Sequence, residues 1–518
     1  MAERKTVPAA SKLALASAAA AALVVGGLPI AGRATIPETV LRAVTVPPRA
    51  LLPPGPGLSL RPDGLAAATS IRTPAVRVCA PIWSTALALT WEQPAGGLVR
   101  ASVRSGDRAA DLSAEGGPDP GTPEFREEDR GTNLLWTGGG RCARVSLALP
   151  RGAVVRDLRV LFLNTSGTAA GPASGPPNEG PAPAAAAPAG LPSALAQAPD
   201  PVLVTREQWG ADPALMNCTP GVADEIRMAF VHHTAGTNDY LPEESDDIVR
   251  AIYAYHTRGR GWCDIAYNFL VDRYGTVFEG RSGGPTLPVI GAATQGFNTG
   301  SFSVSVIGNF DAEAPPRPAM RALRRLLAWR LDVAHVPALG QATMVSAGGD
   351  NTRYAAGTLV RLPVIAGHRD TGYTDCPGDA LYARIPDLRP RVAALGAPKI
   401  YRPRLSSEEV PPGTTDLRIR ARGSEPLTWS VAAYDPGGAQ IATFPPTTGD
   451  RLRLVWGGGS QTALPTAPGT YLVSIEARNA AGRIARPAVL TLHVGPPSSP
   501  SPGPSPAPTP SASATPSS

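Results

Sequence analysis

Two stretches of low-complexity sequence divide this chain of 518 residues. Most of residues 165–200 are Ala, Pro, Gly or Ser, and residues 496–518 consist only of these four and Thr. Such segments contain too few large apolar side chains to bury a core, so we expect a linker and a disordered tail. The chain must therefore fold as separate units, and roughly 150 residues per domain predicts about three of them.

The rest of the sequence can fill several cores, because 43% of the chain is hydrophobic. The 55 Gly and 58 Pro residues fit many turns and linkers. We predict a central α/β domain at residues 201–395, with a mixed sheet covered by helices. An N-terminal β-sandwich-like domain at 70–164 and a C-terminal immunoglobulin-like β domain at 399–495 are predicted to flank it.

Short apolar alternations with Gly and Pro punctuation support the two β domains. Residues 86–91 and 143–149 read as strands on the N-terminal side, and residues 427–433 and 470–477 on the C-terminal side.

The central region mixes strand and helix periods. Residues 226–233, 265–271 and 302–308 are β-like runs. Residues 247–258 and 320–336 carry apolar side chains on one helical face. Strands that alternate with helices indicate the α/β class.

The first 34 residues resemble a secretory signal peptide. Arg4, Lys5 and Lys12 precede an apolar run, which small residues and Pro29 follow. The alternative is an uncleaved membrane anchor, because the apolar run continues to Ala31.

Five cysteines fit an oxidising compartment, where cysteines normally pair. Cys79 and Cys142 could form one bridge, and Cys218 and Cys263 another. Cys376 is then left over, and a bound metal would protect its thiol from oxidation.

Two histidines join Cys376 as candidate metal ligands. A catalytic zinc site needs three protein ligands and one open position. His232 ends a β-like run, and its neighbour His233 must point to the opposite side of the sheet. His368 follows another apolar run, and a Gly- and Thr-rich loop leads from it to Cys376 eight positions later. Side chains from a strand end and a returning loop can converge on one ion.

Other assignments compete with this one. The two histidines could be satisfied core residues and Cys376 an inert buried thiol. His233 could replace His232 as a ligand if a β-bulge reversed the alternation. We expect His256 and His335 to be structural or solvent-facing.

Several segments between residues 231 and 378 resemble, in order, motifs of the peptidoglycan recognition protein and type 2 N-acetylmuramoyl-L-alanine amidase family. They are Val231-His-His-Thr234, Gly261-Trp-Cys-Asp-Ile-Ala-Tyr-Asn-Phe269, Phe278-Glu-Gly-Arg281, Gly296-Phe-Asn-Thr-Gly300, Ile307-Gly-Asn-Phe310, Gly367-His-Arg-Asp370 and Cys376-Pro-Gly378.

The resemblance implies a function and a site. The function is zinc-dependent hydrolysis of the amide bond between N-acetylmuramic acid and L-alanine in peptidoglycan. The implied Zn²⁺ ligands are His232, His368 and Cys376. Tyr267 corresponds to the family's tyrosine beside the metal, and Thr374 to its small polar residue two positions before the cysteine. Recognition-only members typically lose that cysteine, so its presence favours an enzyme.

The sequence departs from the family pattern along the substrate groove. Members commonly have Gly-Ala-His where this chain has Gly291-Ala-Ala293, and glycine where it has Ser303. An aromatic dipeptide of animal members is also missing after Arg281.

Two other function classes are compatible with parts of the sequence. One is a non-catalytic peptidoglycan-binding protein. The other is a general zinc peptidase, although the chain lacks a His-Glu-x-x-His helix.

We expect a monomeric bacterial protein, secreted and associated with the cell wall, whose partner is peptidoglycan. A formal charge of +6 without a basic run interleaved with aromatics argues against a nucleic-acid partner. No stable membrane partner is expected unless the N-terminal segment stays uncleaved.

Overall fold

The computed structural model describes residues 36–53, 57–61, 64–95, 97–112, 116–126, 129–167, 198–457 and 463–495. The predicted signal segment at 1–34, most of the predicted linker and the predicted tail at 496–518 lie outside these residues. The elements below belong to the unit that begins at Pro37. Within the described residues, no helix has the length and apolar character needed to cross a membrane.

Ten strands join in one sheet on the N-terminal side of the chain. They are β1 (Val40–Thr45), β2 (Leu58–Arg61), β3 (Gly64–Ala67), β4 (Ile71–Arg72), β5 (Val76–Ala95), β6 (Arg100–Ser105), β7 (Arg108–Leu112), β8 (Asp129–Gly131), β9 (Leu135–Leu149) and β10 (Val154–Asn164). Both strands predicted here lie inside β5 and β9. Strand β1 pairs along β10, so the sheet includes residues upstream of position 70. Cys79 and Cys142 face each other across β5 and β9 and form the expected disulfide.

The central module contains a six-stranded sheet, which is smaller than the N-terminal sheet, and four α-helices. Its elements are β11 (Leu203–Val204), β12 (Met228–His233), α1 (Ser245–Ala254), β13 (Phe269–Val271), β14 (Val277–Glu279), β15 (Ser301–Val306), α2 (Arg317–Val333), β16 (Gln341–Val345), β17 (Leu359–Pro363), β18 (Ile365–Gly367), α3 (Asp379–Tyr382) and α4 (Ile385–Ala393). The strand order is β11-β14-β13-β15-β12-β18, while β16 and β17 form a separate pair. Within the six-stranded sheet, only β13 and β14 run antiparallel to each other. The sheet is therefore mixed, as predicted.

Apolar side chains on both faces of this sheet are covered. Phe269 and Val271 pack in one core with Leu323 of α2. Leu270, between them, points into a second core with Ile252 of α1. The period of two along β13 thus buries successive side chains under helices on opposite faces.

The second core also includes the N-terminal sheet. Trp136 of β9 and Leu163 of β10 belong to the same cluster as Ile252. The indole Nε1 of Trp136 donates a hydrogen bond to Oε1 of Glu244 at 3.1 Å. The N-terminal sheet therefore lies directly against α1.

The predicted strand at 265–271 is wrong for its first four residues, and side chains bind the backbone N–H groups of the first two. The Ile265 N–H donates to the carboxylate of Asp264 at 2.7 Å. The Ala266 N–H donates to Nδ1 of His256 at 3.0 Å. These bonds hold the chain out of the sheet until Phe269.

Both predicted helices are present with shifted ends. Helix α1 begins at Ser245, two residues before the predicted start, and after Ala254 continues as a π-helical turn, Tyr255–Gly259. Helix α2 begins at Arg317, with a proline in its first turn, where a missing N–H costs nothing.

Six strands form the C-terminal module. They are β19 (Ile400–Leu405), β20 (Glu409–Val410), β21 (Asp416–Tyr434), β22 (Gln440–Gly457), β23 (Gly469–Arg478) and β24 (Ala488–Val494). Both strands predicted here lie inside β21 and β23. Trp429 and Trp456 fill the core with Phe444. The sandwich and immunoglobulin-like labels for the two flanking modules remain predictions.

Candidate metal centre

Two neighbouring parallel strands bring the first two candidate ligands together. Strand β12 pairs with β18 so that Val231 is opposite Gly367. The residues that follow these two are His232 and His368, at the carboxyl ends of the two strands. Their ring centroids are 4.7 Å apart. Strand register alone therefore makes the imidazoles neighbours.

A short loop returns Cys376 to the same place. The Arg369 N–H donates to the carbonyl oxygen of Cys376 at 2.9 Å, which closes the loop. Gly378 follows with φ 86°, a conformation that favours glycine. A side chain at this position would also overlap the backbone of Phe310. The glycine thus lets the chain leave the site without displacing Cys376.

His232, His368 and Cys376 form a three-donor cluster, as predicted from the sequence. One ligand atom from each lies within 4.8 Å of the other two, and the residues are only 1%, 3% and 7% exposed. Cys218 and Cys263 form the second disulfide, so Cys376 remains outside both bridges. The inert-thiol alternative does not explain why two imidazoles converge on this sulfur.

The donor spacing fits a zinc ion. Cys376 Sγ lies 3.6 Å from Nδ1 of His232. Zn–S and Zn–N bonds of about 2.3 and 2.0 Å at a tetrahedral angle place sulfur and nitrogen about 3.5 Å apart. Two imidazoles and one thiolate are also a donor set that zinc accepts.

The other ring nitrogen of His232 has its own partner. Its Nε2 lies 3.0 Å from the hydroxyl of Thr294, so Nδ1 is left to face Cys376. Outer hydrogen bonds of this kind fix the orientation of a ligating imidazole. Thr294 is not among the residues predicted from the sequence, although it directly follows the segment Gly291-Ala-Ala293.

Burial favours the neutral form of the His232 imidazole, which is the form that binds metal. Desolvation, with smaller contributions from His368 and His233, lowers the pKa of His232 well below 6.5. A neutral imidazole keeps the lone pair that a metal needs. The backbone N–H of His233 donates to Cys376 Sγ at 3.4 Å, which favours the thiolate.

Tyr267 and Thr374 both lie beside the cluster. The ring of Tyr267 is buried, with its centroid 5.5 Å from that of His232. It precedes β13, so the strand predicted over residues 265–271 does not include it. Thr374 accepts a hydrogen bond from the N–H of Cys376 through its hydroxyl at 3.1 Å, and so supports the loop that carries the sulfur.

The remaining histidines lie outside the cluster. Nδ1 of His233 accepts a hydrogen bond from the Phe310 N–H at 3.2 Å. His256 is buried, and its Nδ1 accepts a hydrogen bond from the Ala266 N–H. Nδ1 of His335 lies 3.0 Å from the carbonyl oxygen of Ile400. All three have structural partners.

Comparisons with known proteins agree on the central module. The N-acetylmuramoyl-L-alanine amidase family model matches residues 222–379. Peptidoglycan recognition protein 1 of Bos taurus is 33% identical over 180 residues, which cover 35% of this chain and 80% of the relative. The chain belongs to the peptidoglycan recognition protein and N-acetylmuramoyl-L-alanine amidase family.

Further relatives of this family also match part of the chain. N-acetylmuramoyl-L-alanine amidase of Homo sapiens is 31% identical over 231 residues, or 42% of this chain and 34% of that protein. The solved Drosophila PGRP-LB structure is 25% identical and covers 35% of this chain and 91% of its own, with a TM-score of 0.28. These relatives are animal proteins, so the bacterial origin expected above remains a prediction.

Proposed function

We propose that the central module is a zinc-dependent amidase that hydrolyses the bond between N-acetylmuramic acid and L-alanine in peptidoglycan. The convergence of His232, His368 and Cys376 carries this proposal, because a family member that only bound the wall would not need three metal donors. Family membership supports peptidoglycan as the partner.

Zn²⁺ is the proposed cofactor, with His232, His368 and Cys376 as its ligands. When bound, zinc supplies the Lewis acidity that activates water and polarises a carbonyl group. Thr294 holds the His232 ring in its ligating orientation, and Thr374 holds the cysteine loop.

Tyr267 is the proposed catalytic hydrogen-bond donor. Its ring packs beside His232, so its hydroxyl is proposed to stabilise negative charge that develops on the lactyl carbonyl oxygen of the substrate. A donor of this kind typically contributes a factor of about 100 to 1000 in rate. Thr374 is proposed to help orient water or substrate beside the ligand sulfur.

Secretion fits the two disulfides, because such bonds persist in oxidising compartments. We propose that the protein acts outside the cell, on the wall, as a monomer. The flanking β modules are proposed to hold it on this insoluble substrate and so raise the effective substrate concentration.

Muropeptide release tests the function directly. The purified full-length protein is incubated with peptidoglycan, and the products are analysed by mass spectrometry. We expect free stem peptides with an N-terminal L-alanine, lost after chelation and restored by zinc. A muramyl dipeptide should be cleaved and a plain peptide should not, which separates the amidase from a general peptidase. Wall binding without any release, at full zinc occupancy, would instead identify a non-catalytic binding protein.

A further inference from the structure

The N-terminal module extends one segment to the metal centre. We call residues 116–126 the inserted segment and residues 293–298 the wall loop. Gly116 of the inserted segment packs against the carbonyl group of Ala293 and the imidazole of His368. A β-carbon added to Gly116 would overlap the Ala293 oxygen and lie 2.9 Å from Cε1 of His368. The backbone of another module therefore contacts a candidate ligand.

Buried hydrogen bonds fix this contact. The carboxylate of Asp119 accepts from the Gly296 N–H and from Nδ2 of Asn298, both at 2.7 Å. The same Asn298 amide donates to the carbonyl oxygen of Gly117 at 3.0 Å. Asp119 and Asn298 are 5% and 1% exposed. The inserted segment thus binds the Gly296 N–H and the side-chain amide of Asn298 in the wall loop.

A second anchor lies at the other end of the inserted segment. Glu124 forms a buried ion pair with Arg281 and accepts a hydrogen bond from the Cys263 N–H at 2.8 Å. Arg281 belongs to a family motif, and Cys263 lies in another. The inserted segment therefore binds the central module at two separate points, the wall loop and the motifs that contain Cys263 and Arg281.

We propose that the inserted segment is an intramolecular inhibitor, which occupies the substrate groove of the central module and must leave before a muropeptide can reach the metal centre. This inference rests on the proposed amidase function for the identity of the substrate. The N-terminal module would then have a second role: its inserted segment keeps the enzyme inactive until peptidoglycan competes with it for the wall loop.

Three observations support occlusion over a merely structural contact. The three candidate ligands are almost sealed from solvent, although the substrate is a polymer. The side chain at position 293, where family members commonly carry a groove histidine, is only a methyl group, and Gly116 covers its carbonyl. The inserted segment approaches through glycines, which let a backbone lie where larger side chains could not.

Two adjacent glycines provide a matched test. Gly116→Ala cannot keep the present contact, because its methyl group would overlap Ala293. Gly117→Ala can, because its methyl group would lie 3.8 Å from the nearest atoms, in ordinary contact. In the full-length zinc protein, we expect Gly116→Ala to raise kcat/KM for soluble muropeptide about tenfold or more, and Gly117→Ala to match wild type.

A second pair tests the anchor in the same assay. Asp119→Ala removes the acceptor for the Gly296 and Asn298 donors, and we expect a similar gain. Asp111→Ala is its control, because Asp111 is an exposed aspartate of the same module whose side chain accepts a hydrogen bond from Ser102 within the sheet. Far-ultraviolet circular dichroism and thermal unfolding establish that each variant is folded.

Muropeptide affinity gives a readout that does not depend on catalysis. Calorimetry on the zinc-free full-length proteins should show tighter muropeptide binding for Gly116→Ala and Asp119→Ala than for wild type. Unchanged affinity and activity in both folded variants would overturn the inhibitor. Reduced affinity and activity would also overturn it, and would make the inserted segment part of the substrate site. Tighter binding without hydrolysis by any zinc-loaded protein would support the inhibitor while rejecting the amidase function.

Discussion

Cys376 Sγ lies 3.6 Å from Nδ1 of His232, although 144 positions separate the two residues in the chain. The contact depends on the pairing of β12 with β18 and on the loop that returns from His368. It joins the two halves of the proposed site.

Removal of this sulfur should abolish metal binding. Cys376→Ala leaves two imidazoles, so we expect zinc affinity to fall by more than the 10–100-fold typical of an outer-shell change. Zinc content by elemental analysis and muropeptide release should be lost together. A Cys376→Ala protein that keeps a full zinc complement would show that the ion binds elsewhere.

Thr294 should tune the metal centre without ligating. Thr294→Val removes the hydroxyl that holds Nε2 of His232, and we expect about 10–100-fold weaker zinc binding or activity. Thr294→Ser keeps the hydroxyl and should stay near wild type. Competition with a chromophoric chelator measures the affinity. A loss in Thr294→Ser but not in Thr294→Val would point to packing of the threonine methyl group instead.

Tyr267 should affect rate far more than metal binding. Tyr267→Phe keeps the ring that packs beside His232 but removes the hydroxyl. We expect kcat to fall about 100–1000-fold with zinc content unchanged. Steady-state kinetics on a soluble muropeptide separate kcat from KM. An unchanged kcat would leave Tyr267 a core residue only.

Asp119 should make the module contact dependent on pH. Burial raises its pKa from 3.8 to about 6, although the amide groups of Gly296, Asn298 and Thr299 oppose that shift. Because the folded state holds the proton more tightly, this group's stabilising contribution is greatest below about pH 4 and declines as pH rises through 6.

The size of this effect follows from the shift. About two pKa units correspond to about 3 kcal/mol between pH 4 and 7. Asp119→Asn cannot titrate, so the free energy of unfolding of wild type, measured relative to this variant by urea denaturation, should fall by up to that amount over the interval. A difference that rises with pH would contradict the assigned direction.

The buried Glu124–Arg281 pair should be a strong stabilising link once formed. Glu124→Ala leaves the buried Arg281 without its carboxylate partner. Removing one partner of such a buried pair lowers the free energy of unfolding by about 3–5 kcal/mol. Urea denaturation measures the loss. Glu38 is an exposed acidic residue just before β1. Glu38→Ala is therefore a control expected to change the unfolding free energy little. Equal effects of the two substitutions would show that the pair contributes nothing specific.

Much of the central module could be predicted from local sequence. The alternation of side chains along a strand correctly predicted that His232 and His233 point to opposite sides of the sheet. Apolar residues at helical spacing correctly predicted α1 and α2. The run at 265–271 forms a strand only from Phe269 onwards. The side chains of Asp264 and His256 bind its first two backbone N–H groups, and His256 comes from a different element. Periodicity contains no information about such bonds.

The sequence by itself supplied the candidate donors for a metal: two histidines at the ends of predicted strands, and Cys376, left over if the other four cysteines pair. Motif order was enough to relate them to a family. Only the tertiary structure decided that Thr294 orients His232 and that residues 116–126 of another module lie against His368. These relationships join residues far apart in the chain, and they depend on how whole sheets pack, which no local pattern of side chains encodes.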